Sequence, residues 1–476
     1  MRQRIAEVRR RDLCLFSLLA LLFLVGCAGI ATREEKAARK DLETARAVYR
    51  PPTRTPAALP ALSADSSLRD LIEYALLNNP SVEATFYDWQ AAVETITTAR
   101  SLPDPMLSLN VEVMRGLASL TPSLMTSPGA MWPGPGKLSL RADAAYAQAL
   151  AKRASFENEL LATALRVKQA YYQMWVLEEE IRRTREILAL LDELERLARE
   201  RLSVGAVTQQ DVLRAQMERD EIRNRLANLE DSQRPLEARL RSALGLAPAH
   251  DLPPFIVRLE AAPGDLTEDS LLETAFARNP QLNRMRAEVL EAVALYQLAR
   301  KTAVPDFSLG LGLGATGTPV PLMPSVGVTL PIWRDKIAAE IARGRSDLDS
   351  ARARLSAEEL NLAIQFAEMT FSWREADRGV RLYRDQLLPK AQASLESARA
   401  GYTAGISSFL DLLDAERTFL NYHIEHATAA GRREMTLAEI SLLILGRWPQ
   451  AVPAILPPQQ EQPSSEEAPP APAQRS

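Results

Sequence analysis

The sequence predicts a mainly α-helical protein with a small amount of membrane β-structure, built as a duplicated helix–strand–strand–helix unit. Three observations carry that expectation. Helix breakers are scarce: between Lys137 and Leu244 the 476-residue chain has one proline, Pro235, and one glycine, Gly205, without the punctuation of a compact α/β domain. A set of marks recurs at an offset of about 200 residues, and such a repeat replaces any domain count taken from length. Short runs at the same place in each repeat alternate apolar and polar residues, the pattern of a strand with one apolar face. Aromatic residues are only 6% of the chain, which suits long helices better than a sandwich.

The repeat rests on ordered marks. Leu71, Ala75, Asn79 and Pro80 return as Leu271, Ala275, Asn279 and Pro280. Ala99-Arg100 returns as Ala299-Arg300, Pro103-Asp104 as Pro305-Asp306, and Lys137 corresponds to Lys336. Gly205, Asp211, Leu213 and Ala215 return as Gly405, Asp411, Leu413 and Ala415, and Leu244-Gly245 as Leu445-Gly446. A shared helical composition would scatter identities without keeping this order.

Each repeat opens with a helix of about 35 residues, 67–101 and 267–301. The first strands follow, about 105–114 and 306–314. In one, Leu107, Leu109, Val111 and Val113 interleave with Ser108, Asn110 and Glu112. In the other, Phe307, Leu309, Leu311 and Leu313 interleave with Ser308, Gly310, Gly312 and Gly314. The second strands are expected at about 124–132, weakened by Pro128, and 324–332, where Val326, Val328, Leu330 and Ile332 alternate. Such lengths cross a bilayer at a tilt. Next come long helices, about 137–201 and 336–401, each roughly 97 Å at 1.5 Å per residue. Steps of seven from Leu160 trace a heptad seam, which implies left-handed supercoiling. Gly205 and Gly405 mark sharp tip turns, where glycine supplies φ > 0. Returning helices end at Leu244-Gly245 and Leu445-Gly446, endings that suit a glycine cap.

The amino terminus sets the compartment. Arg2, Arg4, Arg9, Arg10 and Arg11 precede an apolar run from Leu13 to Val25, the layout of a secretory signal. The run ends Leu24-Val25-Gly26-Cys27, which resembles the bacterial lipobox, so lipid is expected on Cys27. Ala28 stands where an Asp would imply inner-membrane retention, so the outer membrane is the expected destination. The expected organisation is a signal peptide at 1–26, an anchored linker at 27–64, a first repeat at 65–247, an inter-repeat linker at 248–266, a second repeat at 267–447 and a Pro-rich tail at 448–476.

Charge is balanced, with 57 Lys+Arg against 61 Asp+Glu. No basic stripe stands out, so no nucleic-acid partner is expected. Three His and two Cys leave little material for metal or nucleophile chemistry. His423 and His426 share a helix face without a third ligand. No nucleotide or hydrolase motif is present, and no catalytic residue, metal site or cofactor is expected.

At this point the chain resembles the TolC-like outer membrane efflux proteins over about 65–447. The resemblance rests on the duplicated plan, the two Asn-Pro marks and the two tip motifs. One tip runs from Arg201 through Gly205 to Asp211, and the other from Gly401 through Gly405 to Asp411 and Asp414. It implies a homotrimer whose protomers give four strands each to one twelve-stranded barrel in outer membrane lipid, above a periplasmic α-barrel of long hairpins. It also implies a tip closed at rest and opened by a periplasmic adaptor and an inner-membrane pump of RND or ABC type. By motif position Asp411 and Asp414 match gate carboxylates, while Tyr402 and Asp211 match a hydrogen-bonded pair between hairpins. Ser407 stands where a well-known relative has an Arg, which puts one latch of the closed state in doubt.

Trp132 and Trp333 stand beside prolines at strand ends, where membrane-interface aromatics are expected, although packing in the equatorial region of the helices also accounts for them. Met106, Met114, Met125, Met131 and Met323 cluster near strands and loops. Thioethers suit soft ions, and the surrounding run resembles copper and heavy-metal efflux members, although ordinary packing also accounts for them. The rival reading is a periplasmic adaptor lipoprotein, which should show one hairpin between β-rich halves rather than a tandem duplication.

Overall fold

The computed structural model describes residues 31–51, 65–114, 117–126, 132–205, 207–250, 268–313 and 322–447, with 59–60, 62–63, 252 and 258–259 between them. Cys27 and the Pro-rich tail lie outside the described residues. So do the side chains of 105–131, including Met106, Met114, Met125 and Met131.

The chain is two copies of one plan. A leading helix α1 (Arg33–Val48) is followed by α2 (Leu68–Asn78), α3 (Pro80–Arg100), β1 (Pro105–Met114), β2 (Leu117–Thr126), α4 (Lys137–Ser203), α5 (Gln209–Asp231) and α6 (Gln233–Ala243). The second copy runs α7 (Glu268–Arg278), α8 (Pro280–Arg300), β3 (Phe307–Leu313), β4 (Leu322–Val328), α9 (Arg334–Leu382), α10 (Leu388–Thr403) and α11 (Phe409–Glu439). Among the described residues no helix is long and apolar enough to cross a membrane.

The opening helix of each copy is two helices, where the sequence suggested one. The break falls at Asn79 and Asn279, whose ψ values of 123° and 122° are extended. A residue before proline is pushed out of the α region, and the proline then starts the next helix without wasting a donor. Each Asn reaches both ways. Asn79 Oδ1 accepts from Ser81 N at 2.9 Å, and its Nδ2 donates to Ala243 O at 2.9 Å, at the end of α6. Asn279 Oδ1 accepts from Leu282 N at 2.9 Å, and its Nδ2 donates to Leu443 O at 2.8 Å. One buried side chain therefore caps one helix start and one helix end, groups that would otherwise lack partners.

The glycine after each returning helix completes this joint. Gly245 has φ +72° and Gly446 φ +57°. A Cβ on Gly245 would lie 2.7 Å from Asn78 O, and one on Gly446 2.6 Å from Arg278 O. Positive φ and close backbone approach both exclude a side chain.

The spacing between marks differs by one residue in two places, and the structure explains both. Lys137 to Gly205 is 68 steps, whereas Lys336 to Gly405 is 69; Gly205 to Gly245 is 40, whereas Gly405 to Gly446 is 41. Among the described residues the second copy alone has a π-turn in each limb, Tyr383–Leu387 and Ile440–Ile444. A π-turn inserts one residue without ending a helix. The first copy instead breaks its returning limb at Ser232, because Pro235 cannot donate to Asp231 and its ring crowds that carbonyl.

The four strands form one antiparallel sheet in the order β1-β2-β3-β4. The second strand of each copy lies nearer its partner than the sequence suggested. β2 runs 117–126 rather than 124–132, because Met114 pairs with Leu117 across a two-residue connection. β4 ends at Val328 rather than near 332. Pro331 has no N–H for a ladder, and Leu330 and Ile332 on either side of it are exposed. Pro122 faces Leu109 and Pro324 faces Leu311, so the strand prolines are themselves repeat equivalents.

The largest core joins α1, α2, α3, α4 and α6 around Tyr49, Phe86, Trp89 and Phe156, whose rings pack edge-on or stacked. Ion pairs fasten α1 to this body. Burial alone would raise the Glu35 pKa, but hydrogen bonds from Arg100, Thr97 and Arg39 bring it down to about 2.

Candidate gate at the helical tips

Both tips are written in one local code. Gly205 and Gly405 turn the chain with φ +69° and +75°, and a Cβ on either would meet nothing within 4 Å. Three residues later Thr208 and Ser408 cap the returning helices. Asp211 and Asp411 close capping boxes three positions further on. Asp211 Oδ2 accepts from Thr208 N at 3.0 Å and Thr208 Oγ1 at 2.8 Å. Asp411 Oδ2 accepts from Ser408 N at 2.9 Å and Ser408 Oγ at 2.7 Å. Those bonds hold the Asp411 carboxyl below its usual range. Asp414 is exposed one turn on, within electrostatic reach of Arg417.

The structure does not form the expected Tyr402–Asp211 hydrogen bond. Tyr402 is buried and its hydroxyl has no partner. Asp211 spends its carboxylate on Thr208 instead. Tyr402 packs edge-on against Phe409 at 5.8 Å and beneath Arg201, whose guanidinium lies 4.7 Å from the ring centroid.

Arg201 is the contact that sequence reading missed. It ends α4 in the first copy and crosses to α10 in the second. Nη1 donates to Tyr402 O at 2.6 Å and Nη2 to Thr403 O at 2.7 Å. A cation on the last carbonyls of a helix satisfies orphan acceptors and opposes the negative end of its dipole. The available signal was asymmetry: the counterpart of Arg201 is Gly401. Ser407 packs onto that glycine, where a Cβ would come 2.2 Å from its Oγ. Ser407 thus makes a small local contact in this tip, and Arg201 brings a charge to it from the other hairpin.

Charged contacts continue above the tip. Arg417 grips Glu218 through Nε and Nη2, linking α11 to α5. Glu195 takes hydrogen bonds from Arg199, Gln216 and Arg219. Between these, Glu416 is buried with neither carboxylate oxygen bonded. Burial, countered by Arg399 and reinforced by Glu218, pushes its pKa up to about 8.

The remaining candidates separate. Trp132 and Trp333 both stand at the junction of sheet and helix and are exposed. Trp132 exchanges backbone hydrogen bonds with Phe307, while Trp333 precedes α9. His423 and His426 lie among Arg182, Arg183, Arg384 and Arg433; burial first, then these cations, lowers His423 to about 4 and His426 below its usual value. Among the described residues no three His, Cys, Asp or Glu gather as a metal site.

A duplicated set of long hairpins on a small antiparallel sheet, pinned at the tips, defines a channel-type protein of the outer membrane. The profile of the family described as outer membrane efflux protein matches residues 71–246 and 271–445, and the chain belongs to that family. It is an outer membrane channel component of efflux systems, and nothing supports the adaptor reading. It is similar to the cobalt-zinc-cadmium resistance protein CzcC of Cupriavidus metallidurans, 22% identical over 385 residues that cover 80% of this chain and 90% of that one. Among solved structures, a membrane protein from Pseudomonas aeruginosa aligns with TM-score 0.70 and 20% identity, covering 86% of this chain and 99% of that one. The outer membrane protein VceC from Vibrio cholerae aligns with TM-score 0.68 and 17% identity, covering 80% and 96%.

Proposed function

We propose that three copies of this chain form a passive exit duct, lipid-anchored through Cys27, that opens when a periplasmic adaptor and an inner-membrane pump dock at its tips. The observation that carries this is the four-stranded sheet with β1 and β4 as edges. Lipid does not tolerate open strand edges, and three such sheets close into one barrel. No catalytic step or cofactor belongs to this reading. Trp132 and Trp333 mark the membrane interface, and Asp411 and Asp414 line the periplasmic opening, where clustered carboxylates favour cations. The test is the size and conductance of the full chain extracted from membranes. A species of three chains that conducts in a planar bilayer is expected; a stable soluble monomer after lipid removal overturns the reading.

The similarity to CzcC favours divalent transition-metal ions as cargo. Loss of the gene should then sensitise cells to cobalt, zinc or cadmium. Sensitivity to organic drugs alone would exclude metal cargo and leave the duct unchanged.

A further inference from the structure

The fold contains one finished junction between repeats and the two halves of an unfinished one. The finished junction lies where the first copy meets the second inside the chain. Lys137 Nζ donates to Asp306 Oδ1 and to Val304 O, both at 2.8 Å, and Gly134 N donates to the same Asp306 oxygen at 2.7 Å. The Lys137 side chain is only 10% exposed there. Beside it β2 pairs with β3, with Leu124 opposite Leu311.

The repeat equivalents of these groups have no such partners. Lys336, the counterpart of Lys137, is 70% exposed, and its nearest carboxylate is Glu340 of its own helix at 3.9 Å. Asp104, the counterpart of Asp306, is exposed, and no ion pair to it is found among the described residues. The helices agree. α4 packs against α3 of its own copy and α8 of the other, whereas α9 packs against α8 and has no comparable packing with α3. Ala144, Ala147, Ala151 and Ala154 are buried outside the first-copy core, while their counterparts Arg343, Ser346, Ser350 and Ala353 are exposed.

We propose that Lys336 of one copy pairs with Asp104 of the next, and that β4 pairs with β1 of that neighbour with Val326 opposite Leu109. The register follows from the repeat. Pro122 and Pro324 set the strand offset, which carries Leu124 to Val326 and Leu311 to Leu109. The occupant of the free β4 edge, where Val326 is 76% exposed, is therefore a second copy of this chain. The ring reuses one junction throughout: first repeat to second within a chain, second to first between chains. The inference rests on the three-copy duct proposed above and adds the residues and register that join the copies.

The test uses full-length protein in membranes. Lys336→Asp and Asp104→Lys should each lower the temperature at which the three-chain species dissociates, and the double reversal should restore it. Independently, Val326→Cys with Leu109→Cys should give covalent dimers and trimers on oxidation, since opposed strand residues have Cβ atoms about 4.5–5.5 Å apart. Either single variant, or Val326→Cys with Val111→Cys, should give none. A three-chain species that cross-links only through the shifted pair or not at all, or in which the charge reversals add rather than cancel, overturns this junction and leaves the duct standing. A monomer in every variant and in the parent chain overturns the duct itself.

Discussion

The guanidinium of Arg201 covers the ring of Tyr402 and donates to that residue's own carbonyl oxygen, so one side chain holds both the ring and the backbone of Tyr402. Arg201→Ala removes two charged hydrogen bonds and should weaken closure by about 2 kcal/mol, or about 30-fold in the open fraction. Single-channel recording should show raised resting conductance. Tyr402→Phe should leave that conductance unchanged, because the hydroxyl it removes is buried without a partner.

The two tip carboxylates should part under mutation. Ser408→Ala breaks the capping box that Asp411 completes and should cost about 1 kcal/mol of stability. Asp414→Asn has no such bond to lose. It should leave thermal unfolding unchanged and lower cation selectivity in a planar bilayer; unaltered selectivity would remove the carboxylate from the conducting path.

Glu416 gives the hairpins a pH dependence of definite sign. Its folded value of about 8 stands above the ordinary 4.5. Below 4.5 the group is neutral in both folded and unfolded chains and changes nothing. Between 4.5 and about 8 it ionises only on unfolding, so stability falls as pH rises. Glu416→Gln should therefore raise the melting temperature at pH 8 and alter it little at pH 4, as scanning calorimetry across that range would show.

Gly245 and Gly205 share a positive φ but differ in surroundings. Alanine at either pays about 1–2 kcal/mol for the left-handed backbone. Gly205→Ala should cost little more, since nothing stands near. Gly245→Ala drives a methyl into Asn78 and Asn79 and should cost clearly more, with loss of the Asn79 bridge to α6. Denaturant titration of both variants distinguishes them.

Much of this was legible in the sequence because duplication doubles each signal. Asn79-Pro80 and Asn279-Pro280 were legible as repeat marks but not as the helix breaks they make, and their spacing from Gly245 and Gly446 did not reveal that the two marks touch. The strand pairs were legible from alternation, but their limits were not: Leu330 and Ile332 continue the period after the strand has ended at Val328, short of Pro331. Tyr402 and Asp211 were placed together by resemblance, and a local cap proved the nearer partner for the carboxylate. Arg201 was hidden because a repeat draws the eye to what recurs, and this contact exists where the copies differ.

The two π-turns show how strictly length is governed. Each takes up the one extra residue in a limb of the second hairpin, so both limbs gain a residue together relative to the first. They act as a pair of shims. Removing either alone would set the foot of one limb out of level with its neighbour; removing both would return the hairpin to the measure of its sister. Levelness at the two ends of the hairpin is then a property that neither limb can change by itself.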